Sequence, residues 1–227
     1  RIIRHTCIEK RGKLIIPSFS VGRTQEIIYM MDHMFNEGRM PKVKVYVDSP
    51  LAVNATSIYI AHTECYDDEM AKYLLVDDNP FGFNGLDYIK NVEDSKAIND
   101  SNEPCVIISA SGMANAGRVQ HHIINNCDKP STTILIVGYC ALGTPGRLIR
   151  DGADTITLHG QTKPILADVE IMDSFSAHGD RNEMTAFLHN QLESAQTVFL
   201  VHGDTDAMTF FGAHLSKKKK KNIIMPN

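Results

Sequence analysis

The stretch CVIISASGMANAGRVQHH, Cys105 to His122, decides how the whole chain is read. Its opening, CVIIS, is a short apolar and β-branched run without polar alternation, which predicts a strand covered on both faces. Small residues and glycines follow, the loop closes on Gly117 and Arg118, and a helical stretch runs from about Ala114 to Asn126. Runs of the same kind stand at KLIIP from Lys13, VKVYV from Val43 and TTILIV from Thr132, with helical patterns between them. Strands alternating with helices predict an α/β fold with a doubly wound, mainly parallel sheet.

Working outward, Ile27, Met30, Met31, Met34 and Phe35 recur at helical spacing and Gly38 follows as a stop, so this methionine stripe is expected in the core. A second helical stretch covers about Ala52 to Leu75, with a break near Asp67. Asp77 to Pro104 is rich in turn signals and reads as a surface excursion, with LDYIKN as an edge strand and no identifiable chemistry. After Gly152 the pattern changes. DTITLHG and KPILADVEIMDSF alternate like exposed antiparallel strands joined by a turn at Gly160 to Thr162, which predicts a new layer. Asp180 with Glu183 predicts a capping box and a helix to about Leu192, followed by the strand TVFLV and a further helix to about Leu215.

With 227 residues, 43% of them hydrophobic, the chain can bury a sizeable core. No apolar stretch approaches the ~20 residues of a membrane span, and no basic-then-apolar leader opens it. Five cysteines without a C-x-x-C pair argue against a disulfide framework and a cysteine zinc site, and fit a reducing cytoplasm, with Cys105 and Cys140 as small core residues. Five of the 23 basic residues form one run, Lys217 to Lys221, expected as a solvated helix end; the rest of the chain is more acidic than the net charge of −4. A globally basic nucleic-acid footprint is therefore absent, and any phosphate contact has to be local. Arg1 is not an initiator Met, and the chain is expected to be a segment of a longer protein.

Local candidates exist. PSFSVGRTQE (Pro17 to Glu26), SASGMANAGRVQHH (Ser109 to His122) and GYCALGTPGR (Gly138 to Arg147) each follow a buried strand and each carry Gly-Arg. Beyond the carboxyl ends of parallel strands, loop amides and helix N-termini attract anions. Ser18, Ser109, Ser111 and Thr144 add hydroxyl donors, and Arg23, Arg118 and Arg147 can grip phosphate bidentately. Turn chemistry explains any one loop; the three together suggest a phosphodiester track. GMANAGRV has the glycine spacing of a P-loop, but Arg118 and Val119 stand where Lys and Ser/Thr belong, so nucleotide chemistry is not expected. At the junction of VKVYVDSPLA, where Asp48 and Ser49 meet the following helix, Asp48 is read as a cap or turn former. Of His121 and His122, adjacent on a helix, at most one can face the track.

SFSAHGD (Ser174 to Asp180) and TVFLVHGD (Thr197 to Asp204) place His178 and His202 in equivalent settings at the ends of apolar runs. In order along the chain, PSFSVGRTQE, VDSPLA, SGMANAGRVQHH, GYCALGTPGR, SFSAHGD and FLVHGD resemble the β-CASP branch of the metallo-β-lactamase superfamily, over nearly the whole chain. The resemblance implies a β-CASP domain over 1–167 and, over 168–227, a strand and helix segment belonging to a metallo-β-lactamase αββα fold, incomplete here. It implies a zinc-dependent ribonuclease acting on single-stranded RNA. His178 would be a proton donor or transition-state stabiliser, and His202 a ligand in a site of two zinc ions. The family's H-x-H-x-D-H loop is not in this sequence, so the segment alone is expected to be inactive. A homodimer is compatible with the sequence. The alternative is a non-catalytic RNA-binding or assembly module whose parent lacks the metal loop.

Overall fold

The computed structural model describes residues 1–175, 178–218 and 222–226. The chain separates into two units, Arg1–Ser176 and Ala177–Asn227. The first carries strands β1 (Lys13–Pro17), β2 (Lys44–Asp48), β3 (Leu86–Ile89), β4 (Cys105–Ser109), β5 (Thr133–Ile136), β6 (Thr155–Leu158), β7 (Gln161–Pro164) and β8 (Asp168–Ile171). Its helices are α1 (Arg23–Asn36), α2 (Pro50–Ala61), α3 (Asp68–Tyr73), α4 (Val92–Asp100), α5 (Val119–Asn126) and α6 (Pro145–Arg150).

Six strands form one sheet in the order β3-β2-β4-β1-β5-β8, and every pair in it is parallel. Because side chains alternate across a strand, each buried run feeds two cores. Leu14, Ile16, Val106 and Ile108 join Ile27, Ile28 and Met31 of α1 and Ala52 of α2 on one face. Ile15, Ile107, Ile134 and Ile136 join Ile98 of α4, Val119 and Ile123 of α5, and Ile149 of α6 on the other. Helices cover both faces, as expected for a doubly wound sheet. Each such Leu or Ile contributes about 1.5–3 kcal/mol on burial, so truncating Ile107 to Ala would cost about 2–5 kcal/mol.

The structure departs from the sequence reading in several places. Only part of the α1 stripe is core: Ile27, Ile28 and Met31 are buried, while Met30 and Phe35 are exposed. The buried face follows 24, 27, 28 and 31; position 30 falls on its flank, and Phe35, though on the same face, stands in the last turn of α1, where it stacks on Phe83 with ring centroids 5.5 Å apart. The second helical stretch breaks as expected near Asp67, which caps α3, but the break already opens at His62, the end of α2. α5 begins at Val119, not Ala114, because the loop before it turns through positive φ at Ala114 and Gly117. Past Gly152, β6 and β7 form the expected antiparallel hairpin, but β8 starts no new layer: it pairs in parallel with β5, Leu135 opposite Glu170.

The second unit contains α7 (Arg181–Phe187), α8 (Gln191–Ser194), β9 (Thr197–Phe199), α9 (Thr205–Lys218) and β10 (Asn222–Ile224), with β9 and β10 parallel. The capping box of α7 forms as expected, with Asp180 accepting from the Glu183 amide and Glu183 accepting from the Asp180 amide. Leu192, Leu200 and Leu215 make its small buried core. Lys217 lies in the last turn of α9; Lys219 to Lys221 fall outside the described residues. All five cysteines are free, and Cys105 and Cys140 are buried. No helix among the described residues is long and apolar enough to cross a membrane.

Candidate functional site

In a parallel sheet all carboxyl ends lie along one edge. The loop after β1 leads to α1 on one face, and the loop after β4, its neighbour, leads to α5 on the other. The two loops therefore part, and the crevice between them is the topological switch point at which open α/β sheets bind ligands. Ser18 continues the ladder there, its amide donating to the Ser109 carbonyl at 2.9 Å.

The chemistry of this edge centres on Asp48, the last residue of β2. Its carboxylate is fully buried. Arg118 Nη1 donates to Oδ1 at 2.6 Å, while His122 Nε2 lies 2.6 Å from Oδ2, to which Ser95 Oγ also donates. Burial alone would raise the carboxyl pKa, but the hydrogen bonds from His122, Ser95 and Arg118 outweigh it and hold the group below the usual carboxylate range. The partners are themselves held: Asn99 Oδ1 lies 2.9 Å from His122 Nδ1, and Arg118 Nη2 donates to the Lys90 carbonyl at 2.8 Å. Asp48 is thus no cap. Ser49 takes that role, its hydroxyl accepting from the Ala52 amide at 3.2 Å.

The seven residues expected to meet phosphate are not equivalent. Arg118 sits at the N-terminus of α5 with its side chain 19% exposed, and two of its five donors are engaged by Asp48 and Lys90. Ser111, in the same loop, is half-buried, with its hydroxyl exposed and bonded to Asn115 at 2.7 Å. Ser18 and Ser109 are buried: Ser18 Oγ accepts from Thr24 at 3.1 Å, and Ser109 Oγ donates to the Asp48 carbonyl at 2.8 Å. Arg23 reaches across the edge to the Val137 carbonyl and pairs with Glu26. Thr144 caps α6 by accepting from the Arg147 amide at 3.3 Å, and Arg147 pairs with Asp151 at 2.7 Å. Each expected arginine therefore already faces a carboxylate, so the edge is locally neutralised.

The histidines divide as sharply. His122 belongs to the buried hub, whereas His121 is exposed and stacks on His159, ring centroids 4.2 Å apart. Burial, then the charges of His159 and His122, depress the His121 pKa. His178 and His202 lie in the second unit, both exposed. His178 does not end a strand: β8 stops at Ile171 and a 3₁₀ turn, Asp173–Phe175, intervenes. His202 adopts a left-handed backbone, φ 61°, a conformation that is uncommon outside glycine and that gathers at functional loops. The acid of the first His-Gly-Asp, Asp180, is committed to capping α7, its carboxylate accepting from the amides of Asn182 and Glu183. Zinc takes four ligands in closed sites and three plus water in open ones. Among the described residues no three of His, Cys, Asp and Glu converge on such a set, so the donors this chain presents do not by themselves fit the implied zinc site.

Sequence reasoning passed over Asp48, Ser95, Asn99 and the buried role of His122. The excursion 77–104, read as having no chemistry, supplies Ser95, Asn99 and the Lys90 carbonyl. The available signal was an acid ending an otherwise apolar strand, since a carboxylate there has to find donors.

A model of the Beta-Casp domain matches residues 24–149, more than half of the chain, and one of a Zn-dependent metallo-hydrolase RNA specificity domain matches 162–226. A ribonuclease of Thermus thermophilus is 31% identical over 210 residues, covering 92% of this chain and 47% of that protein. The transcription termination factor FttA of Methanosarcina mazei is 31% identical over 225 residues, 96% of this chain and 35% of that factor. The cleavage and polyadenylation specificity factor 73 of Drosophila melanogaster is 28% identical over 204 residues, 89% of this chain and 29% of that protein. The chain spans about half the length, or less, of these relatives.

Proposed function

The chain belongs to the β-CASP family of the metallo-β-lactamase superfamily, and from that membership we propose that it is the RNA-gripping and C-terminal active-site portion of a ribonuclease that hydrolyses phosphodiester bonds. The names of its relatives and the RNA specificity match support this. The proposed boundary, 1–167 against 168–227, lies near the start of the second family match at 162, although β8 pairs within the first unit's sheet and the compact units divide after Ser176.

Arg118 carries the reading. A guanidinium at the carboxyl edge, fixed from behind by a buried carboxylate and with donors not taken up by Asp48 or Lys90, is suited to a phosphate of a single strand. Ser111 lies in the same loop, its hydroxyl bonded to Asn115; Ser18, Arg23, Ser109 and Thr144 act by holding the loops, and Arg147 offers a second, more exposed cation. In the second unit, His178 is proposed to donate a proton near the scissile phosphate. His202 is proposed as one ligand of a two-zinc set completed by residues beyond those described, so this chain alone would be inactive.

Arg118→Ala in the full-length protein should weaken single-stranded RNA binding and lower the magnitude of its salt slope by about 1. Arg118→Lys, which keeps the charge and loses the fork, should recover the slope and part of the affinity. Salt titrations of binding check both, with melting temperatures beside them; affinity and slope unchanged in Arg118→Ala would reject the phosphate role.

A further inference from the structure

Phe19 follows the buried Ser18 in the loop after β1, yet its side chain is 46% exposed and joins neither core. Single exposed apolar residues are ordinary and need no function. Phe19 differs in how it is held. Its carbonyl accepts from the Thr24 amide at 3.3 Å, the Thr24 hydroxyl at 2.7 Å and the Ser18 hydroxyl at 3.4 Å, so its backbone cannot swing the ring away. The ring lies across Gly112 of the loop after β4: a Cβ at Gly112 would stand 2.9 Å from Phe19 Cδ2. The glycine is what lets the ring approach. The ring therefore spans the two loops that part at the switch point, and no other aromatic ring stacks on it among the described residues.

Its surroundings are suited to a nucleotide. The next residue, Ser20, lies 3.1 Å from the Ser49 hydroxyl, and Ser49 follows Asp48, whose carboxylate holds Arg118. A fixed aromatic face next to Ser20, at the same carboxyl edge of the sheet as the anchored Arg118, offers stacking to a base of a strand whose phosphate the guanidinium meets further along the edge, the combination by which single-stranded nucleic acids are held without sequence preference. We infer that Phe19 is a base-stacking platform at the switch crevice, receiving one nucleobase of the strand whose phosphate Arg118 grips. The inference rests on the RNA-binding reading given above.

The test uses the full-length protein and two single-stranded oligoribonucleotides of equal length, one carrying 2-aminopurine and one with abasic sites. The wild type should bind the first more tightly and quench its fluorescence. Phe19→Leu keeps apolar bulk over Gly112 but lacks an aromatic face; it should lose the quenching and about tenfold to a hundredfold in affinity for the intact strand. Its melting temperature and salt slope should stay those of the wild type, and Phe19→Trp should retain both preference and quenching. If Phe19→Leu still prefers and quenches the 2-aminopurine strand, the stacking role is wrong while RNA binding stands, and the ring belongs to a protein contact. If the wild type binds neither strand at low salt, the RNA reading itself fails and the inference falls with it.

Discussion

The two regions that carry the candidate chemistry are built in opposite ways. Around Asp48 every polar group is buried or tied to a neighbour, and the hub stands between two continuous cores. Around His178 and His202 the loops are exposed, the underlying core is small, and Phe187, Phe199, Val201 and Phe210 of the same unit are 60–80% exposed. Apolar exposure on that scale is characteristic of surfaces that meet a partner. The difference separates two kinds of functional residue. The candidates of the Asp48 hub are part of what holds the fold, so changing them should disturb stability and binding together. Those of the second unit contribute little to folding, and changing them should register in chemistry alone.

The largest effect expected from this contrast is therefore kinetic. His178→Ala in the full-length protein should lower the single-turnover rate of RNA cleavage by about 10²–10⁴-fold, as loss of general acid–base help does, with zinc content and melting temperature unchanged. His202→Ala should instead lower zinc content, read by metal analysis. A His178 variant that loses its metal, or a His202 variant with full zinc, would erase the distinction drawn between the two histidines.

Next in size is a thermodynamic effect at the hub. Removing one member of a buried ion pair strands the others, so Asp48→Ala should destabilise the protein by about 3–5 kcal/mol. Denaturant titration reads this directly; for a chain of this size the melting temperature should fall by roughly 6–20 °C. The sign of the pH dependence follows from the depressed carboxyl. Its stabilisation is complete above the unfolded value of about 3.9 and is lost as pH falls through the folded value. The deficit of Asp48→Asn relative to wild type should accordingly shrink below about pH 4. A cost under about 1 kcal/mol would mean the hub is looser than its geometry implies.

The same contrast explains what could be read in the sequence. CVIIS, KLIIP and TTILIV were legible as buried strands because burial on both faces keeps the middle of each run apolar; VKVYV is read the same way although Lys44 at its start is exposed. The α7 capping box was legible because its donors and acceptors lie within one turn. Asp48 was not, since its partners Ser95, Arg118 and His122 lie 47 to 74 residues away and only the parallel register of β2 and β4 brings them to it. β8 was misjudged for a related reason: an edge strand with one face open alternates like an antiparallel one, and its partner is chosen by tertiary contact. The repeated His-Gly-Asp after apolar runs singled out His178 and His202 from local pattern, while their expected roles came only from the family resemblance.

The smallest effect lies on the same edge as the hub but in water. Arg150 forks onto Asp173, Nη1 to Oδ1 at 2.9 Å and Nη2 to Oδ2 at 3.1 Å, and also donates to the Gly138 carbonyl at 3.2 Å. Arg150 holds the Asp173 carboxyl below its usual range, but the acid's side chain is 65% exposed, so solvent screens most of the attraction. Asp173→Asn should cost about 0–1 kcal/mol near neutral pH. The depressed carboxyl fixes the direction: whatever the pair contributes is present above a pH of about 4 and disappears as the pH falls through the folded value. Added salt should remove it as well, whereas it should barely touch the Asp48 deficit, because buried pairs are weakly screened. Arg150→Ala should cost slightly more than Asp173→Asn, since it also strips the Gly138 carbonyl of a donor. Urea titrations of the two single variants and the double variant, at low and high salt, isolate the pair from that second contact. A salt-insensitive coupling above about 2 kcal/mol would show that this carboxyl edge is as dry as the Asp48 hub, and the division between fold-holding and solvent-facing charges would have to be redrawn.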